Sequence, residues 1–145
     1  MIVRPLEPGD REQWQLLWDG YNQFYERTVP DAVTDATWGR FFEPGEPVFA
    51  AVATVDAKLA GMVHYLYHRS TSAIEDVCYL QDLFTAREER GKGVGRALIH
   101  HVYREAQAAS LHRVYWLTHE ENPARKLYDE VAALSPFRRY VKDLA

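Results

Sequence analysis

The sequence predicts an α/β domain, and three observations predict it. Two apolar runs, Val48–Val55 and Leu59–His68, flank Asp56-Ala57-Lys58 and read as a hairpin. A third run, Ile74–Thr85, leads into a turn with three alternate glycines, and a helical pattern opens inside that turn. Helical and strand patterns interleave along the chain with no repeat, low-complexity segment or linker, so residues 1–145 are expected to form a single domain.

The elements follow in order. Ile2-Val3-Arg4-Pro5 reads as a first strand, and Asp10 is a candidate N-cap for the helix that follows. In that helix Trp14, Leu17, Trp18, Tyr21, Phe24 and Tyr25 recur at three- and four-residue intervals. Six large apolar groups exceed what one helix face usually hides, so some are expected to line a pocket or a subunit contact. Thr34 precedes a shorter helix over residues 35–42, and Glu43-Pro44-Gly45-Glu46-Pro47 breaks the chain. After the three strands, Val94, Leu98, Val102 and Ala106 mark one helix face. Arg113–Thr118 is expected as a strand, residues 122–131 as a helix and Phe137–Val141 as a last strand.

Composition narrows the function. At 145 residues, 47% apolar and 26% charged, the chain is ordinary for a soluble globular protein. No run approaches the ~18 apolar residues that cross a bilayer. The N-terminal residues turn charged at once, and the lone Cys78 allows no intrachain disulfide; a cytoplasmic setting is expected. Residues 1–86 carry 13 acidic and 6 basic side chains, a balance of −7, whereas residues 87–145 carry 8 and 11, a balance of +3. No basic-aromatic stripe suggests nucleic acid, and no histidine spacing suggests a metal.

The basic half begins at the glycine turn. Glycines let a ligand approach bare backbone N–H groups at a helix start, and Arg90, Lys92 and Arg96 add positive charge, so a phosphate-bearing ligand is expected there. A Walker loop requires Ser or Thr after Gly-Lys, but Lys92 is followed by Gly93. The dinucleotide fingerprint spaces its glycines differently from Gly91-x-Gly93-x-Gly95, and about 20 residues beyond the run stands Tyr115 rather than an acid.

The spacing Arg90-x-x-Gly93-x-Gly95 after a hydrophobic strand resembles motif A of the GNAT superfamily of N-acetyltransferases. Downstream, Asn122-Pro123-Ala124-Arg125-Lys126-Leu127-Tyr128 resembles the family's motif B. The branch suggested is the one with histone, polyamine and D-amino-acid acetyltransferases. The resemblance covers essentially the whole chain. It implies a GNAT fold: a mixed, mostly antiparallel central sheet flanked by helices, with a splayed strand pair at the acetyl-CoA site. It assigns acetyl-CoA, as co-substrate, to Leu83, Phe84 and Thr85, to the loop residues Arg90, Gly91, Lys92, Gly93, Val94, Gly95 and Arg96, and to Asn122.

The reaction so implied is acetyl transfer from acetyl-CoA to a primary amine of a small molecule (polyamine, amino acid or related amine) by direct attack on the thioester. A protein lysine or N-terminal acetyltransferase and a non-catalytic acyl-CoA sensor are the alternatives, and a homodimer is in keeping with the family. With a lysine-like pKa near 10.4, fewer than about one amine in a thousand is neutral at pH 7, so a general base helps. The oxyanion needs a backbone donor, which the resemblance places at the N–H of Leu83 or Phe84. It also assigns to Tyr128 the proton for the departing thiolate.

The base stays open at this point. Gln81 stands where related diamine acetyltransferases carry a Glu. Asp82 is the nearest carboxylate, although strict strand alternation turns it to the opposite face unless a bulge intervenes. Glu75, Asp76, Glu26 and His119 are further candidates. Two departures from the family pattern stand out. Ala124 follows Asn122 by two residues rather than three, so either Asn122 or Glu121 fills the motif position. The usual glycine-aromatic pair is replaced by Val131-Ala132-Ala133-Leu134-Ser135-Pro136-Phe137.

Overall fold

In the computed structural model, which describes residues 1–145, five strands form one sheet in the order β1-β2-β3-β4-β5. They are β1 (Ile2–Pro5), β2 (Val48–Val55), β3 (Lys58–His68), β4 (Val77–Thr85) and β5 (Val114–Tyr115). All neighbours pair antiparallel except β4 and β5, which run parallel. The helices are α1 (Arg11–Phe24), α2 (Asp31–Phe42), α3 (Val94–Ala108) and α4 (Arg125–Val131). The expected mixed, mostly antiparallel sheet flanked by helices is what forms.

The β2–β3 hairpin turns through Asp56 and Ala57, both at positive φ (50° and 64°), the geometry of a tight turn that follows the twist of its strands. Each sheet face buries its own cluster. On one side α3 packs Val94, Leu98, Ile99, Val102 and Ala106 onto Ala51, Val63, Tyr65, Cys78 and Leu80. On the other, α1 packs Trp14, Leu17, Trp18 and Tyr21 onto Val52 and Met62. Each such large side chain, fully buried, contributes roughly 1.5–3 kcal/mol. Gly61 lets α3 lie close to the sheet, since a Cβ there would stand 2.7 Å from Val94 and 3.0 Å from the Phe84 carbonyl oxygen.

Several boundaries differ from the sequence reading. Asp10 stands at the N-cap position of α1 as expected, but its side chain makes no cap bond there; it closes the short 3-10 turn before the helix, accepting the Glu7 N–H (2.8 Å) and pairing with Arg4 at 2.7 and 2.9 Å. Helix α2 starts at Asp31, so Thr34 lies inside it and accepts a hydrogen bond from the Trp18 indole N–H (3.0 Å). Strand β4 starts at Val77, leaving Ile74 exposed, and α4 starts at Arg125 after a turn over residues 122–124. No strand forms at Phe137–Val141. A strand needs a partner, and the adjoining edge, β5, is two residues long. Phe137, Tyr140 and Val141 are exposed. No helix is long and apolar enough to cross a membrane.

Candidate active site

The site begins where β4 and β5 part. They pair only at Cys78–Val114 and Tyr79–Tyr115, and beyond Tyr79 the edge of β4 has no strand beside it. Along the other edge the β3 register shifts between His64, which faces Asp82, and Tyr65, which faces Leu80. Gln81 is therefore the extra residue of a β-bulge, and its side chain is exposed. The bulge reverses the alternation after it. Leu80 and Leu83 pack on the α3 side, whereas Asp82 and Phe84 turn toward α1. The main chain also has a direction. The Ala86 N–H donates to the Ala60 carbonyl (2.8 Å), so by alternation Phe84 and Asp82 present their N–H groups to β3, and Leu83 and Thr85 present theirs to the gap.

The glycine turn closes one end of this gap. Gly91 and Gly93 hold φ of +78° and +85°, and a Cβ at either would meet open space, so the loop surface is bare backbone. The first N–H of this stretch with an internal acceptor is that of Ala97, which donates to the Gly93 carbonyl (3.0 Å). The N–H groups from Gly91 through Arg96 have no acceptor in the protein, and they stand at the positive end of α3. Lys92 pairs with Glu89 (3.0 Å) and Arg96 with Glu130, while Arg90 lies over the Phe84 ring and donates to the Thr85 carbonyl (3.2 Å). A diphosphate fits this cradle: donors without partners, no side chain in the way and three cations at the rim.

Asp82 is buried on the α1 face of β4. Its Oδ2 lies 2.9 Å from His64 Nδ1, and the Trp14 indole N–H donates to His64 Nε2 (3.0 Å). An indole N–H cannot accept, so Nε2 must; the single imidazole proton then sits on Nδ1 and is donated to Asp82. Arg27 places Nη2 3.9 Å from Asp82 Oδ1. Burial and the neighbouring Asp82 charge push the Tyr21 hydroxyl far above its ordinary pKa, so it stays protonated beside the carboxylate.

Across the gap, Asn122 accepts the Ala124 N–H at Oδ1 (2.9 Å) and donates from Nδ2 to Thr118 Oγ1 (2.9 Å), so it caps the turn into α4. Its Nδ2 also lies 3.4 Å from the Tyr25 hydroxyl. Tyr25 packs edge-on against Tyr21 with centroids 4.9 Å apart, linking the end of α1 to the β5–α4 loop. The half-exposed Phe24 and Tyr25 line a cavity of about 260 Å³ together with Glu26, His119 and Asn122. Tyr128 packs edge-on against Trp116 (5.4 Å), and burial pushes its hydroxyl up to about 12. Burial likewise pushes the Cys78 thiol up to about 12, which keeps it inert. Glu75 pairs with His112 (2.7 Å) and Asp76 with Arg69 (3.3 Å), both engaged before β4 begins.

His64 and Arg27 escaped the sequence reading, and Trp14 entered it only as a member of the apolar stripe of α1. The one available signal was a lone histidine inside the apolar run of β3, a position more often occupied by a satisfied core residue.

A splayed strand pair, a glycine cradle at a helix start and a buried carboxylate thus lie side by side at one end of the sheet. The chain belongs to the acetyltransferase (GNAT) family, whose sequence profile matches residues 12–132, and it is an N-acetyltransferase with acetyl-CoA as co-substrate. Over 135 residues it is 37% identical to the D-amino-acid N-acetyltransferase HPA3 of Saccharomyces cerevisiae, covering 91% of this chain and 84% of that protein. Among solved structures it is similar to a probable acetyltransferase (TM-score 0.86, 19% identity, 100% of this chain and 99% of that one). A ribosomal-protein-alanine N-acetyltransferase from Brucella melitensis biovar Abortus 2308 is also similar (TM-score 0.80, 22% identity, 99% and 100% covered). At these identities the structural likenesses speak for the fold.

Proposed function

We propose that the protein transfers the acetyl group of acetyl-CoA directly to the primary amine of a small amino compound of amino-acid type. The observation that carries this reading is the Gln81 bulge. It turns a buried carboxylate, Asp82, toward α1 and leaves the next N–H, that of Leu83, facing the gap between β4 and β5. The identity to a D-amino-acid N-acetyltransferase over nine-tenths of the chain supports the same acceptor class.

Bound acetyl-CoA supplies an activated acetyl carbonyl. Arg90, Gly91, Lys92, Gly93, Val94, Gly95 and Arg96 hold its diphosphate, chiefly through main-chain N–H groups. The main chain of Leu83 and Thr85 lines the path through the gap, and Phe84 forms the wall toward α1. The Leu83 N–H donates to the carbonyl oxygen as negative charge develops there. Asp82 accepts the proton lost by the attacking amine. Gln81 contributes as the inserted residue of the bulge and not as a base. Asn122 fixes the turn into α4, the helix that carries Tyr128.

The Tyr128 hydroxyl, at about 12, is a weaker acid than a thiol near ~8.5. Complete proton transfer to a thiolate would run uphill, so Tyr128 stabilises the leaving sulfur as a hydrogen-bond donor. The buried, unreactive Cys78 suits a reducing cytoplasm, and exposed Leu134, Phe137, Tyr140 and Leu144 offer apolar surface for a homodimer.

Asp82→Asn tests the reading. It keeps an acceptor for the His64 N–H but removes the base, and kcat is expected to fall about 100-fold or more at unchanged acetyl-CoA affinity. A variant with undiminished kcat would remove Asp82 from the chemistry.

A further inference from the structure

We propose that Arg27 is the receptor for a carboxylate on the acceptor, and that Arg27 and Asp82 together select α-amino acids. This rests on the acetyl-transfer reading above and adds what the amine must carry. Arg27 follows the end of α1 and is held from three directions. Its Nε donates to Asn22 Oδ1 (2.6 Å), its own N–H donates to the Asn22 carbonyl (3.0 Å), and its guanidinium lies over the rings of Trp18 (5.7 Å) and Tyr21 (5.1 Å). Asn22 is buried and has no freedom to turn away, since its Nδ2 donates to the Trp18 carbonyl (3.0 Å).

What remains of Arg27 is its fork. Neither terminal nitrogen makes a hydrogen bond within the protein, and the 3.9 Å approach to Asp82 Oδ1 is too long for one. A planar, permanently charged group with one edge fixed and the other free is pre-organised for bidentate binding of a carboxylate. The side chain is 45% exposed and also lines a cavity of about 330 Å³ with Trp18, Asn22, Val29 and Thr34, so a small ligand reaches it from solvent.

The pairing with Asp82 sets the length of the ligand. Receptor charges of opposite sign stand 3.9 Å apart. In an α-amino acid the nitrogen and the carboxylate carbon share one carbon and lie only about 2.5 Å apart from standard bond lengths and angle. One such molecule can place its amine at Asp82 and its carboxylate on the Arg27 fork. Each added methylene separates the two groups further, so γ-amino acids and diamines match the receptor poorly. A diamine would in addition set a second cation against Arg27.

The experiment compares kcat/KM for α-amino acids, as both enantiomers, with the corresponding carboxamides, which keep the amine and lose the anionic oxygens. The wild type is expected to favour the acid over its amide by about 10- to 100-fold, the worth of a hydrogen-bonded charge. Arg27→Gln brings that ratio to about one through a raised KM for the acid. Arg27→Lys, which keeps charge without the fork, falls between. Acetyl-CoA affinity and thermal melting identify any variant that has failed to fold. Equal use of acid and amide by the wild type, or a ratio that survives Arg27→Gln in a folded variant, overturns the proposal while leaving acetyl transfer intact. Turnover of no amine by a protein that binds acetyl-CoA overturns the acceptor reading beneath it, and this proposal with it.

Discussion

His64 and Asp82 are joined by a 2.9 Å hydrogen bond whose direction is set by a third residue, because the Trp14 indole N–H occupies the other imidazole nitrogen. Asp82 is thereby oriented by the Nδ1–H of His64. His64→Gln preserves the sense of both bonds, since an amide oxygen can accept from Trp14 while the amide N–H donates to Asp82. His64→Leu preserves neither. The Leu variant is expected to lose about 10- to 100-fold in kcat, and the Gln variant to recover most of it. If both bind acetyl-CoA normally and are equally slow, His64 does not act by orienting Asp82.

The glycine cradle makes a sharper claim about binding than about rate. Gly93 sits at φ +85° with open space where a Cβ would be. A residue such as Val is strained there by roughly 1–2 kcal/mol and covers the N–H groups beside it. Gly93→Val is expected to remain folded and to lose measurable acetyl-CoA binding by calorimetry. Normal binding by that variant would place the diphosphate elsewhere.

Tyr128 is expected to act without titrating. Burial pushes its hydroxyl up to about 12, so it stays protonated throughout an assay from pH 6 to pH 10. Tyr128→Phe should lower kcat about 10- to 100-fold by removing one donor to a developing charge, and its pH profile should run parallel to the wild type. An alkaline limb below pH 10 that disappears in the variant would contradict this.

A stability prediction concerns the start of the chain. The paired guanidinium of Arg4, then the Glu7 N–H, hold the Asp10 carboxyl below its usual range against the opposing effect of burial. The stabilisation is therefore full above the unfolded value near ~3.9 and is lost as pH falls through the lower folded value. Asp10→Ala is expected to cost about 2 kcal/mol in urea unfolding at pH 7. The difference should shrink in acid below pH 4; a difference constant with pH would mean the charge is not its source.

Much of the fold was legible because it is local. The hairpin of β2 and β3 and the glycine turn into α3 follow from patterns within a few residues of each element. The expected splay is met by β4 and β5 parting after Tyr79. Asp82 was legible as a candidate, but its bonding to His64 and Trp14 was not, because that cluster joins residues from α1, β3 and β4 through a bulge that no local pattern marks. Had Gln81 kept its place in the ladder, regular alternation would have sent Asp82 to the α3 side with Cys78 and Leu80, away from His64. The expected strand at Phe137–Val141 failed for the complementary reason. Its composition suits a strand, but the edge strand β5 is only two residues long.

Thiol release from acetyl-CoA by the wild-type protein decides which amines the site accepts. The panel comprises both enantiomers of several amino acids, polyamines, an aminoglycoside and a lysine-rich peptide. Turnover is expected on amino acids, with little or none on the peptide. Turnover confined to the peptide, or silence across the panel with acetyl-CoA bound, would contradict that expectation.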